Sequence, residues 1–206
     1  MDLKYYGLTG PSGAGKGTVG QILKELGYTV LDTDAIYHDL LTPPSPCLNA
    51  LFSAFGTGYR LPDGTLDRKA LGAHVYADPK ELARLNAITH TFIRDRVLEI
   101  SKDTAPHRHD AVFLDAPTLL DSPVSWPLSG ILTVLADRDI RLNRILERDG
   151  ITPKEAESRI ASQHDDAFYR ERSDAVILNN GTDLAQAHAE LAEPVRKALT
   201  VLGLWP

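Results

Sequence analysis

Apolar positions along this chain switch between two periods. Tyr5-Tyr6-Gly7-Leu8-Thr9, Thr29–Leu31, Ala111–Leu114, Ile131–Leu135 and Ala175–Leu178 are short β-type runs, each read as a buried strand. Between them the spacing becomes helical. Val19, Ile22, Leu23 and Leu26 recur on one face of a helix over 18–26 that Gly27 is placed to stop. Further helices are predicted over 35–41, 68–77, 80–104 (broken near Thr91), 138–148, 153–163 and 183–202. Strands alternating with helices predict an α/β fold, a parallel sheet flanked by helices. Pro43, Pro44 and Pro46 close the helix after Asp34 and open a helical, turn-rich stretch with no convincing strand. The expected organisation is one domain over 1–206, with its core in about 1–42, 107–147 and 174–206. An inserted substrate-binding subdomain is expected over about 43–106 and a short, charged, mobile lid over about 148–173.

Where the first strand meets the first helix the chain reads Gly10-Pro-Ser-Gly-Ala-Gly-Lys16-Gly-Thr18. Glycines there let successive backbone N–H groups turn toward one anion, and the helix N-terminus adds partial positive charge. Lys16 can reach the outer phosphates of a nucleotide, so Gly13, Ala14, Gly15, Lys16, Gly17 and Thr18 form a candidate ATP cradle in a P-loop NTPase fold. The residue after the lysine is usually a serine or threonine that ligates Mg2+. Here it is Gly17, with Thr18 one place later, as in the Gly-Lys-Gly-Thr loops of adenylate and cytidylate kinases, which this variant resembles. The metal is therefore expected on Thr18, on a carboxylate, or through water.

Composition narrows the class. The 206 residues are 43% hydrophobic and 24% charged, as in a soluble globular protein, and suffice for a sizeable core. A net charge of −6 argues against a general nucleic-acid surface. No apolar run approaches a membrane span, and the first strand begins too early to leave room for a signal peptide. The single cysteine, Cys47, excludes an internal disulfide, suits a reducing cytosol and is read as a packing residue. The chain reads as a cytoplasmic enzyme.

Two acids follow the second strand, Asp32 and Asp34. If the chain is still extended there, both carboxylates face one side of the sheet, at the carboxyl edge where ligands of open α/β sheets bind. One could orient and deprotonate an acceptor hydroxyl while the other helps the metal; Asp34 could also N-cap the next helix. Asp115, ending an apolar strand, is either a magnesium carboxylate or the start of the turn that Pro117 enforces. Arg141, Arg144 and Arg148 fall within an arc of roughly 60° on one helix. Arg148, at the lid boundary, is the candidate phosphoryl clamp, while Arg141 and Arg144 are read as a solvated face. His107, Arg108 and His109 are read as solvated too.

In order along the chain, these residues resemble the dephospho-CoA kinase family. The family's strand ending in Asp-Ala-Asp before a histidine-bearing helix corresponds to Val30-Leu-Asp32-Thr-Asp34-Ala-Ile-Tyr-His38. Phe55-Gly56, Asp63-Gly64, Asp67-Arg68 and Leu71-Gly72 follow in family order, then Leu85-Asn86-Ala-Ile88-Thr-His90 and Asp115-Ala-Pro117-Thr-Leu119-Leu120. Next come Arg141-Leu-Asn-Arg144-Ile-Leu-Glu-Arg148, Arg159-Ile-Ala-Ser162-Gln163 and Ser173-Asp174-Ala-Val176-Ile177-Leu-Asn179-Asn180-Gly181. Three positions depart from the family: Gly17 for the usual serine, Asp121 for a frequent glutamate, and Asp165-Asp166-Ala-Phe-Tyr-Arg170 where a Glu-Lys is usual.

The resemblance implies transfer of the ATP γ-phosphate to the ribose 3′-hydroxyl of dephospho-CoA, with Mg2+ as cofactor. It implies Asp34 as base, with Lys16 and Arg148 completing the catalytic set. Thr9, Asp34, Arg68, Asn86 and His90 would bind the acceptor, and Thr18, Asp32 and Asp115 would hold the metal, directly or through water. Two rival readings are a cytidylate-like nucleotide kinase and a non-catalytic P-loop binding module.

Overall fold

The computed structural model describes residues 3–103, 110–120, 127–181 and 184–206. His107, Arg108, His109 and Asp121 lie outside them. The described chain falls into two compact units, one of Met1–Leu31 with Pro106–Pro206 and one of Asp32–Ala105.

The first unit is built on a five-stranded parallel sheet of β1 (Lys4–Thr9), β2 (Thr29–Asp32), β3 (Ala111–Asp115), β4 (Leu128–Leu135) and β5 (Ala175–Leu178), ordered β2-β3-β1-β4-β5. β1 pairs in parallel with β3, Leu8 opposite Asp115, and with β4, Thr9 opposite Thr133. The chain adds β3 on one side of β1 and β4 on the other, so order reverses across β1, the place where such sheets bind ligands. Burial explains the unbroken apolar runs. Tyr6, Leu8, Phe113, Leu132, Val134 and Ile177 share one core with Val19, Ile22 and Leu23 of α1 (Lys16–Glu25) and Leu191, Val195 and Leu199 of α9 (Leu184–Val201). Tyr5, Val112, Leu114 and Leu135, at the alternate positions, are buried as well, so both faces are covered. A smaller cluster joins Ile145 of α6 (Arg138–Asp149) to Ala156 and Ile160 of α7 (Pro153–Ala161). α8 (Asp166–Glu171) follows, and Ser173 next to it bonds Thr133 of β4 at 2.6 Å.

The second unit holds α2 (Thr33–Leu40), α3 (Pro46–Phe55), a short 3-10 turn, α4 (Arg68–Tyr76) and α5 (Pro79–Asp103). Pro46 takes the first helical position of α3 behind the N-cap Ser45, where a missing N–H costs nothing. Leu48, Leu51 and Phe52 pack on Leu71 and Val75 of α4 and on Leu82, Leu85, Ile88 and Phe92 of α5. The expected break near Thr91 is absent. The hydroxyls of Thr89 and Thr91 bond back to the carbonyls of Leu85 and Ala87, at 3.0 and 2.9 Å, and the apolar stripe runs on through buried Val97. One isolated antiparallel bridge, Arg60 to Leu66, flanks the Asp63-Gly64 turn. Cys47 is fully buried, and burial raises its thiol to about 11, which fits a packing role.

Candidate active site

β1 delivers the glycine loop straight into α1. Gly15 is the N-cap of α1, with φ +99°, and it offers no side chain to occupy the first-turn N–H groups; no acid stands in that turn either. The Thr18 N–H turns back onto the Gly15 carbonyl at 3.1 Å, and the helix dipole favours an anion at this end. A Cβ on Gly15 would lie 2.1 Å from the Asn179 amide nitrogen, and one on Gly13 (φ +79°) 2.6 Å from the Arg141 carbonyl oxygen. Only glycine fits the loop at these two points. Lys16 curls over it and donates to the Gly10 carbonyl at 2.9 Å.

The carbonyls of Ser12, Gly13 and Ala14 meet α6 and the turn after β5. Arg141, 5% exposed, donates from Nε to the Ser12 carbonyl at 3.0 Å and from Nη2 to Gln163 Oε1 at 2.8 Å. Gln163 Oε1 also accepts the Ser12 backbone N–H at 3.1 Å. Arg144 donates to the carbonyls of Gly13 (3.1 Å) and Ala14 (3.3 Å), to Asn179 Oδ1 (3.2 Å) and to the Gly181 carbonyl (2.6 Å). Buried Asn179 completes the grip by donating to the Ala14 carbonyl at 2.9 Å. The expectation of a solvated face at Arg141 and Arg144 is thus overturned: that face of α6 lies against the loop. Burial lowers the affinity of both guanidiniums for their proton, with the field of Asp166 opposing this at Arg141.

Arg148 is exposed and held bidentately by Asp149, Nε to Oδ1 at 2.7 Å and Nη2 to Oδ2 at 2.9 Å, with Ser12 Oγ at 3.4 Å from Nη2. Asp149 also pairs with Arg159 of α7. Hydrogen bonds from Arg148 first, and then from Arg159, pull its carboxyl down to about 2, and Asp149 in turn raises the Arg148 guanidinium.

Asp115 ends β3 half-buried, before a turn closed by Leu119 N–H on the Ala116 carbonyl. Thr9 ends β1 fully buried, its hydroxyl 3.4 Å from the Pro117 carbonyl. The extended geometry expected for Asp32 and Asp34 is not found, because the strand stops at Asp32. Asp32 itself is the N-cap of α2, Oδ1 accepting the Ala35 N–H at 2.9 Å, while Asp34 stands exposed in the first helical turn. The alternative of Asp34 as N-cap is not realised: that cap is Asp32, the one of the two with extended backbone.

Within the second unit, Arg68 at the start of α4 donates to His38 Nδ1 of α2 at 3.1 Å. A guanidinium can only donate, so His38 carries its proton on Nε2. Asn86 and His90 stand one turn apart on α5, both half-buried, and burial lowers the His90 imidazole. The sequence alone assigns no role to Gln163 or Asn179. Their only signal there is a place in ordered segments, after α7 and after β5.

For a divalent cation, the Thr18 hydroxyl and the carboxylates of Asp32 and Asp115 are hard oxygen donors of the kind Mg2+ takes. Among the described residues no three His, Cys, Asp or Glu side chains converge as a metal cage. Among the described residues, too, no helix is long and apolar enough to cross a membrane.

The family model for dephospho-CoA kinase (CoaE) matches residues 5–185, a range containing every site residue above. A dephospho-CoA kinase of Geobacter metallireducens is 42% identical over 180 residues, covering 85% of this chain and 88% of that protein. One from Geobacillus kaustophilus is 36% identical over 199 residues, covering 97% and 95%. Among solved structures, TT1252 from Thermus thermophilus aligns with a TM-score of 0.75 at 29% identity, over 95% of this chain and 97% of that one. A dephospho-CoA kinase from Campylobacter jejuni shares the fold, with a TM-score of 0.59 at 24% identity and 95% of each chain covered. Family match, relatives and a phosphate loop built for an anion agree: this chain belongs to the dephospho-CoA kinase family.

Proposed function

We propose that this protein transfers the γ-phosphoryl group of ATP to the ribose 3′-hydroxyl of dephospho-CoA, giving CoA and ADP, the last step of coenzyme A synthesis. The observation that carries the reading is the family match over residues 5–185. It is supported by a glycine loop that runs into the N-terminus of α1, with no acid in the first helical turn and with Gly13 and Gly15 at points where no other residue fits.

On the donor side, residues Gly13 to Thr18 hold the phosphates, Lys16 neutralises their outer charge, and Arg148 supplies a mobile positive charge as it exchanges Asp149 for phosphate oxygens. On the acceptor side, Thr9, Arg68, Asn86 and His90 bind dephospho-CoA. Asp34 orients the 3′-hydroxyl and takes its proton as the oxygen–phosphorus bond forms and the bond to the β-phosphate oxygen breaks. A loose transition state asks mainly for alignment and charge stabilisation, so a carboxylate of ordinary basicity suffices. Thr18, Asp32 and Asp115, directly or through water, hold Mg2+, which when bound offsets the charge of the β- and γ-phosphates. Residues from Arg148 to about Ser173 act as the lid over the donor. The acceptor subdomain spans about 43–106.

The test is ADP release from ATP and Mg2+ with dephospho-CoA, adenosine, AMP, CMP or no acceptor. Dephospho-CoA is the preferred acceptor. Truncation to adenosine lowers kcat as well as raising KM, because binding energy from the remote pantetheine arm is used to orient the ribose. An equal or greater kcat/KM on CMP would move the chain to the nucleoside monophosphate kinases.

A further inference from the structure

Arg141 is a long cationic side chain, 5% exposed, packed behind the glycine loop. Both partners it bonds are neutral: the Ser12 carbonyl at 3.0 Å and the Gln163 amide oxygen at 2.8 Å. The same amide oxygen accepts the Ser12 N–H at 3.1 Å. One residue of the phosphate loop is therefore gripped on both sides of its backbone, through its carbonyl by Arg141 and through its N–H by Gln163. Both groups facing the Gln163 oxygen are obligate donors, which fixes the orientation of the amide. The Arg141 backbone takes part as well, since Gly13 lies so close to its carbonyl that no Cβ would fit between them.

A guanidinium this deeply buried is ordinarily matched by a carboxylate. Acids are near in sequence, Asp165 and Asp166, yet the group that bonds Arg141 is the uncharged isostere of a glutamate. Asp166 and Tyr169 of α8 favour the charged form of Arg141 through space and Arg138 opposes it, but no carboxylate bonds it. Arg144 adds a second half-buried cation bonded to carbonyls and an amide. The back of the loop thus carries two positive charges whose bonded partners are all neutral, next to the N-terminus of α1.

We propose that Arg141, set in place by Gln163, is a positioning residue of the donor site that fixes the Ser12–Gly13 stretch and lends a charge bonded to no carboxylate to the bound polyphosphate. The inference rests on ATP being the donor. Gln163 has a double task, to accept two hydrogen bonds and to add no negative charge.

Gln163→Glu separates these tasks, because it keeps the acceptor oxygen and places a carboxylate on Arg141. The titration uses ATP with Mg2+ and no acceptor, on wild type, Gln163→Glu, Arg141→Lys and Arg141→Met, with a thermal melt of each. Gln163→Glu is expected to melt at or above the wild-type temperature yet bind ATP about tenfold more weakly, the scale of one partly screened charge interaction. In steady state its KM for ATP rises while kcat stays within about threefold, because the loop is still held. Arg141→Lys keeps most of the affinity, and Arg141→Met loses it to the same degree as Gln163→Glu. Wild-type ATP affinity in a folded Gln163→Glu protein would overturn the proposal. Should that variant not fold, equal ATP affinity in the Lys and Met variants overturns it and rescue by lysine sustains it. Failure of dephospho-CoA as acceptor leaves this titration standing, whereas wild type that binds no ATP removes the donor reading and the proposal together.

Discussion

Replacing Arg144 by methionine keeps a long apolar stem on α6 and deletes four hydrogen bonds: to the Gly13 and Ala14 carbonyls, to Asn179 Oδ1 and to the Gly181 carbonyl. A hydrogen bond from a charged donor contributes about 1.5–3 kcal/mol net. One nitrogen is shared between Gly13 and Ala14, and the half-buried site lets water refill part of the loss, which brings the sum to roughly 3 kcal/mol. For a protein of this length each kcal/mol shifts the melting temperature by about 2–4 °C, so a fall of roughly 6–12 °C is expected. A solvated arginine would change stability by no more than about 0.5 kcal/mol, or roughly 2 °C. The assay is thermal unfolding of wild type, Arg144→Met and Arg144→Lys, with KM for ATP measured on each. Lysine recovers less than half, because one ammonium on a flexible stem cannot span the two loops that the planar fork joins. A methionine variant that melts within 2 °C of wild type, with unchanged KM for ATP, would refute the claim that this arginine holds the loop.

Three further outcomes are expected. Asp34→Asn cuts kcat by roughly 10²–10⁴-fold while ATP affinity stays within a few-fold, since the phosphates are held elsewhere; a collapse of ATP binding with little loss of kcat would make Asp34 a metal ligand instead. Asp149 has its carboxyl held down to about 2 by Arg148 and Arg159, below its unfolded value of 3.8. Its contribution is therefore complete above about pH 4 and lost as pH falls toward 2, so melts of wild type and Asp149→Asn at pH 7, 4 and 2.5 should converge only at the acid end. Gly17 has nothing within 4 Å of an added Cβ. Gly17→Ser should consequently fold at least as well, by up to about 0.5 kcal/mol of helix propensity, and lower the Mg2+ concentration for half-maximal activity; an unchanged Mg2+ requirement would mean that position 17 is not where the metal is held.

The sheet was legible because each strand is a short apolar run with a helical pattern on either side, and burial on both faces leaves no other use for such runs. Element ends were less so. Period alone could not show that the threonines near Thr91 would bond back into their own helix rather than break it. Nor could it show that β2 ends at Asp32, with α2 beginning at the next residue, Thr33. A single residue decides there whether Asp32 and Asp34 share a sheet face or stand on a cap and a helical turn. In the second unit, α3 hid behind three prolines, because Pro46 reads as a breaker until Ser45 is seen capping the helix it begins.

The anion cradle was readable from its glycines, while its support was not, and the reason is geometric. A helical wheel gathers Arg141, Arg144 and Arg148 on one face but says nothing of what that face meets, and charged faces usually meet water. Turning a run of N–H groups toward a phosphate turns the intervening carbonyls the opposite way, into the protein. Those carbonyls need donors. Guanidiniums can supply several donors from one fixed fork without adding a competing acceptor. Donors from the element packed behind a glycine-rich phosphate loop are thus a requirement of the loop itself. Here the chain meets it with two arginines three residues apart on the helix that follows β4.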